Sequence, residues 1–271
     1  MGALLSLADH TLAGTLSGGS WLAALPLANL QNELLSKKAR SSNALAASTI
    51  VQVDIGATAR AIRCIGVLSH NISFAGTIRA RGYSDSGYTT LVTGADTGTL
   101  NVWPQSGFTA ADAAEYPNNW IYAFASSKTA RYWKIEITDT TNAAGYVELG
   151  RLWIGESWEP GVGISYGASI GYEPRDVIEE SLGGVRWAER RTPRRVASLQ
   201  FEVLTTAEKR QAIIMQKTLG TAGEILFVMD GALDAVNLLI ESFPATMRTV
   251  SPVTYAYYDV HQMPLELLEV V

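Results

Sequence analysis

The stretches Tyr132–Ile137 (YWKIEI) and Val147–Ile154 (VELGRLWI) decide the fold of the first half of this chain. In the first, Trp133, Ile135 and Ile137 share one face while Tyr132, Lys134 and Glu136 share the other, the period-two alternation of a half-buried β-strand. In the second, Val147 and Leu149 lie in one phase and Leu152 and Ile154 in the opposite one, with Gly150 at the switch, where a β-bulge would reverse the facing. Two such strands ending at Gly155, just before a change in composition, mark the closing edge of a β-sandwich.

Working outward, the preceding residues read as short strands separated by turn chemistry. Val51, Val53 and Ile55 alternate with Gln52 and Asp54, Ala61–Leu68 is nearly all apolar and suits a strand covered on both faces, and Thr77–Tyr83 turns Ile78 and Ala80 inward. Loops rich in Gly, Ser, Thr, Asn and Asp follow at 84–101 and 104–119. The 155–171 stretch, rich in glycine and carrying Pro160, reads as the end of one domain and a junction. The expected division is a β-sandwich over 1–158, a junction over 159–171 and a second β domain over 172–271.

In that second domain Val185–Arg190 and Ala197–Val203 read as a hairpin turning at Thr192 and Pro193. Thr205 and Glu208 form a capping box for one helix over about 206–219, whose apolar stripe is Ala212, Met215 and Leu219 and whose stop is Gly220. Strands resume at Ile225–Met229, Val236–Glu241 and Thr254–His261. The fold class expected is all-β: an N-terminal jelly-roll sandwich and a C-terminal β domain carrying one α-helix.

Composition narrows the function. The 271 residues are 47% hydrophobic and 17% charged, which supplies packed cores and argues against disorder. Residues 1–159 carry 11 basic and 12 acidic side chains and residues 160–271 carry 10 and 14, so neither half has the basic excess of a nucleic-acid binder. The single Cys64 cannot form an internal disulfide and reads as a small core residue. No Lys or Arg precedes the apolar start and Asp9 and His10 interrupt it, so no signal peptide is expected, and with no stretch approaching the roughly 18 apolar residues of a membrane helix, no membrane span is expected either.

Catalytic patterns are weak. Gly163-Ile-Ser165-Tyr-Gly167 and Gly167-Ala-Ser169-Ile-Gly171 match a nucleophile-elbow pattern, but no helix follows and only His261 lies downstream. His10, His70 and His261 lack metal-site spacing and read as surface or strand-end residues. No catalytic residue, metal or cofactor is expected, and the chain reads as a non-enzyme. Trp103, Tyr116, Asn118, Asn119 and Trp120 gather in or beside one loop, and aromatic faces with nearby amides suit the apolar faces and hydroxyls of a sugar. Arg186, Arg190, Arg191, Arg194 and Arg195 crowd the expected hairpin tip and read as a solvated face or a contact between subunits.

Trp21–Leu30 (WLAALPLANL), Ala39-Arg40-Ser41, Val51–Gly56 and Ser69-His70-Asn71 resemble a type of virion protein of tailed bacteriophages. Arg131–Ile137 and Val147–Gly155 are similar to the closing strands of discoidin or galactose-binding-like jelly rolls. The layout of the remainder resembles the ring-forming β domain of siphophage tail-tube and distal-tail proteins, although the two domains stand in the reverse of the familiar distal-tail order. The resemblance implies a structural component of the phage tail tip, assembled in the host cytoplasm. It would form a homo-oligomeric ring, contact other tail proteins and present a jelly roll outward. The alternative it leaves open is a carbohydrate-binding module for the host surface. Calcium sites of some discoidin-like modules find no matching acidic loop here.

Overall fold

A computed structural model describes residues 2–232 and 234–271. The chain divides into two compact units, one formed by Leu4–Trp158 with Val228–Ser242 and the other by residues 2–3, Glu159–Phe227 and Phe243–Val271. Residues 228–242 fall in the N-terminal unit, whereas the sequence reading placed them in the second domain.

The N-terminal unit is a two-sheet sandwich. Its strands are β1 (Leu4–Asp9), β2 (Thr15–Ser17), β3 (Ala39–Arg40), β4 (Ile50–Asp54), β5 (Arg60–Leu68), β6 (Thr77–Tyr83), β7 (Leu91–Asp96), β8 (Leu100–Asn101), β9 (Trp120–Ala130), β10 (Tyr132–Thr138), β11 (Glu148–Leu149) and β12 (Arg151–Trp158). One sheet runs β1-β12-β5-β9; the other runs β2-β4-β10-β6-β7, with β8 also on β6. Trp133, Ile135 and Ile137 face inward and are fully buried, as their alternation requires, against a core that includes Val51, Val53, Ile65 and Ile154. Cys64 is buried in β5. A four-residue helix, α1 (Ala110–Ala113), opens with a Thr109–Asp112 capping box inside the long loop before β9.

Gly150 does more than shift a register. The chain leaves β11, which pairs with β3, and enters β12, which pairs with β5, so the phase change marks a transfer between sheets rather than a bulge within one. A Cβ at residue 150 would lie 2.7 Å from the Leu35 carbonyl oxygen and 2.9 Å from Ser69 Cβ, a close approach open only to glycine.

The C-terminal unit contains β13 (Ser169–Glu173), β14 (Val177–Glu180), β15 (Arg186–Glu189), β16 (Arg194–Leu204), α2 (Thr206–Leu219), β17 (Glu224–Val228, which ends at the boundary), β18 (Ser242–Met247), β19 (Thr254–Tyr257) and β20 (Val260–Glu269). Its sheet follows the order β13-β16-β20-β18-β17, with β19 on the free edge at the start of β20. Helix α2 has the expected limits and its full capping box, and buries Ala212 and Met215.

Three local expectations are overturned. The stretch 84–101, read as a loop, contains β7 and β8. Val236–Glu241 is helical, within α3 (Ala235–Glu241), because the Asp234 side chain accepts from the Val236 and Asn237 N–H groups and caps a helical turn. α3 belongs to the N-terminal unit, where Leu239 packs against the sandwich core. The expected hairpin turn at Thr192-Pro193 is absent: β15 pairs backward with β14 through the Ser181–Gly184 turn, where Gly184 takes φ 79°, while β16 pairs with β13 and β20.

The arginine cluster is therefore dispersed. Arg186 lies on the exposed β15 and Arg190 and Arg191 beyond it, but Arg194 opens β16 half-buried. Arg195 is no surface residue at all: it is 1% exposed, paired with Glu269 at 2.5 Å and laid over the Phe243 ring. Alternation along β16 points residue 195 into the core, and a buried carboxylate makes that tolerable.

Candidate functional site

A cleft of about 340 Å³ opens at the edge of the sandwich, where β9 ends one sheet and β8 borders the other. Its walls come from β8, the Val102–Gln105 turn, the start of β9, and α3. Trp120 and Tyr122 stand two residues apart on one strand face, and their rings stack at 6.1 Å with 11° between planes. Tyr122 meets Phe124 edge-on at 5.0 Å, which continues the aromatic row into the core. Across the cleft, Leu238 and Leu239 of α3 supply an apolar wall.

Three of the five residues expected to bind converge here: Trp103, Asn119 and Trp120. Both tryptophans are built into the fold, at 4% and 6% exposure, so they offer the cleft a buried edge instead of an open platform. The Trp103 indole N–H donates to the Ile72 carbonyl at 3.0 Å, and the His70 ring meets Trp103 edge-on. Asn119 Oδ1 accepts from the Ser69 N–H, which leaves its amide nitrogen as a donor. Tyr116 tilts against Phe108 and Asn118 is exposed; neither lines the cleft.

Tyr122, Asn101, Gln105, Leu238 and Leu239 escaped the sequence reading. Tyr122 was accessible to it, since it lies at i+2 from Trp120 in an alternating strand; the α3 leucines are more than a hundred residues away and carry no local signal. Gln105 is exposed, and its amide nitrogen donates to the Phe74 and Trp103 carbonyls, so its oxygen remains an acceptor. Burial holds the Tyr122 phenol above its ordinary pKa, with Asp96 adding to the effect, so the hydroxyl stays a donor at neutral pH.

The described residues lining the cleft include no carboxylate, imidazole, amine or thiol. Such a wall can bind an uncharged molecule with one apolar face and several hydroxyls, but it holds no general acid–base pair. Elsewhere in the N-terminal unit, the strand-end His70 is buried, not exposed, and its Nδ1 accepts from the Ile72 N–H. In the C-terminal unit His261 is also buried, with Nδ1 3.2 Å from the Leu204 oxygen, and Ser165 Oγ accepts from the Glu202 N–H. Among the described residues no group of three His, Cys, Asp or Glu side chains could hold a metal ion.

No protein-family model matches this chain, and no curated protein does. Among solved structures, the chain is similar to the family 32 carbohydrate-binding module of Clostridium perfringens NanJ in complex with galactose, at 19% identity over 57% of this chain and 99% of that one, with a TM-score of 0.39. It is also similar to the first such module of a family 31 glycoside hydrolase from Clostridium perfringens, at 9% identity over 55% and 99%, TM-score 0.38. A third is the family 32 module of AlyQ in complex with 4,5-unsaturated mannuronic acid, at 20% identity over 52% and 92%, TM-score 0.35. The all-β architecture stands on this chain's own strand order.

Proposed function

We propose that the N-terminal unit is a non-catalytic carbohydrate-binding module whose cleft seats a neutral pyranose. The observation that carries this reading is the Tyr122 ring, stacked on the buried Trp120, in a cleft lined by amides and apolar groups and free of titratable side chains apart from the tyrosine phenol. A sugar ring has an apolar C–H face to lay against Tyr122 and Leu238, and hydroxyls for the Asn119 nitrogen and the Gln105 oxygen. Calorimetric titration with neutral oligosaccharides from a bacterial surface tests the reading. Gln105→Ala and Tyr122→Ala should each weaken binding while circular dichroism stays unchanged. Binding that survives both substitutions, or no binding to any neutral glycan, overturns it.

A second reading is favoured by a different observation. Every residue from 176 to 193 is exposed, so the β14–β15 ribbon has neither face covered, with Ile178 at 52%, Val185 at 56% and Trp187 at 70%. A two-stranded ribbon is at best marginally stable alone in water, and one bearing exposed apolar side chains is a natural contact element. We infer from it a contact surface between neighbouring subunits, with the ribbon and Arg186, Arg190 and Arg191 at the contacts, as a structural ring in a phage tail tip would need. Light scattering after size exclusion tests it: an oligomer reduced to monomer by Trp187→Ser supports assembly through the ribbon, and a strict monomer in the unaltered protein removes it.

A further inference from the structure

A second concave site lies on the N-terminal unit, apart from the cleft. Thr15 and Ser17 of β2, Gln52 and Asp54 of β4, the Ser86-Gly87-Tyr88 loop and Tyr132 of β10 enclose a groove of about 440 Å³. That volume falls within the range of about 300–1,000 Å³ typical of small-molecule sites. None of its residues lines the cleft at Trp120.

The groove is built around a strained tyrosine. Tyr88 has φ 55°, a left-handed conformation that a bulky side chain adopts only when its surroundings impose it. Asp85 imposes it here: its carboxylate accepts from the Thr90 N–H at 2.6 Å and the Thr89 hydroxyl at 2.9 Å, and its carbonyl accepts from the Tyr88 N–H. The result is an aromatic row, with Tyr88 meeting Tyr83 edge-on at 5.6 Å and Tyr132 edge-on at 6.1 Å. Core packing would not need this, because both Tyr88 and Tyr132 remain partly open to solvent.

Polar groups ring the tyrosines. Arg131 grips Asp54 through two hydrogen bonds of 2.8 Å, and the Gly56 N–H adds a third, so the carboxylate is held ionised and fixed in direction. Burial pushes the Tyr88 phenol up to about 12, so it keeps its proton. Arg131 pairs with Asp54 and offsets much of its charge, which favours a ligand without net charge. Fixed acceptors, a half-buried amide in Gln52, hydroxyl groups and an aromatic wall together select a neutral, hydroxyl-rich ring.

We infer that the Tyr88–Tyr132 groove is a second binding site for a neutral pyranose, independent of the cleft at Trp120 and Tyr122. Two sites on one module would let it hold one polysaccharide at two points or crosslink two chains, with the gain in apparent affinity that bivalence confers.

The groove contains tyrosines and no tryptophan, which makes it separable by spectroscopy. The full chain, labelled with 3-fluorotyrosine, would be titrated with methyl glycosides of galactose, glucose and mannose at tens of millimolar. At least one should shift the fluorine signals assigned to Tyr88 and Tyr132. Tyr88→Gly relieves the left-handed strain while removing the ring, so it should keep the fold and weaken groove binding by about tenfold or more. Gln52→Ala should weaken it as well, whereas Tyr122→Ala in the cleft should leave it unchanged. Titration that moves only the cleft tyrosine refutes the second site and spares the module; loss of both responses on Tyr122→Ala shows a single site and refutes the inference. Unchanged groove binding in a folded Tyr88→Gly variant also overturns it.

Discussion

Replacing His70 with asparagine should remove a large part of the acid sensitivity of the N-terminal unit. His70 follows β5 at 3% exposure, with its Nδ1 accepting from the Ile72 N–H at 3.2 Å and its ring against Trp103. Burial, reinforced by the Lys38 ammonium, lowers its pKa from an ordinary 6.5 to about 3. The folded state therefore refuses a proton that the unfolded chain accepts. Its contribution is complete above pH 6.5 and is lost progressively as pH falls from 6.5 toward 3. At about 1.4 kcal/mol per pH unit, the loss between pH 6.5 and 5 is about 2 kcal/mol. That window lies above the range in which most carboxylates titrate. An asparagine Oδ1 can take the place of Nδ1 as acceptor for the Ile72 N–H, and it carries no titratable group. Urea unfolding at pH 7.5 and 5.0, followed by tryptophan fluorescence, gives the comparison. The unaltered protein should lose about 2 kcal/mol more than His70→Asn on acidification, since His10 and His261 are common to both. Equal losses in the two proteins would refute the claim that His70 is held neutral by burial.

Gly150→Ala should destabilise the N-terminal unit by about 2 kcal/mol or more, because the new methyl meets the Leu35 carbonyl oxygen, a backbone atom that cannot swing aside; thermal unfolding measures it. In the C-terminal unit, Arg195→Met leaves the buried Glu269 carboxylate without its guanidinium partner, holding only the residue-195 N–H, and should cost about 3 kcal/mol, while the double variant Arg195→Met/Glu269→Leu should recover only part of that loss in chemical denaturation, because that N–H then loses its acceptor. Thr205→Ala removes the cap of α2 and should cost about 1 kcal/mol, with Thr205→Ser close to neutral.

What the sequence made legible was whatever a local period encodes. YWKIEI became β10 with the expected faces, because alternation with period two leaves only one way to bury Trp133, Ile135 and Ile137. Thr205 with Glu208 placed α2 to the residue, because a capping box is a contact between near neighbours. The misreadings concern choices between partners. Val185–Arg190 could pair forward across Thr192-Pro193 or backward across Ser181–Gly184, and both stretches contain turn residues. The backward choice wins where Gly184 supplies the positive φ and β16 is already taken on both edges by β13 and β20.

The candidate site divides along the same line. Trp103, Asn119 and Trp120 were readable as aromatic and amide chemistry in one loop, and the structure brings them to one cleft. Their burial was not readable, because it depends on Ile72 and His70 reaching Trp103 from another part of the chain. Leu238 and Leu239 arrive from α3, in a segment whose apolar run AVNLLI fits strand and helix almost equally until Asp234 is recognised as its cap. Tyr88 is the extreme case: nothing in Ser86-Gly87-Tyr88-Thr89 announces a left-handed tyrosine. Only Asp85, folding its carboxylate back onto Thr89 and Thr90, forces that conformation and sets the ring against Tyr132. Strain maintained by a dedicated hydrogen-bond network, on a ring left open to solvent, is the reason to seek function in that groove as well as in the cleft.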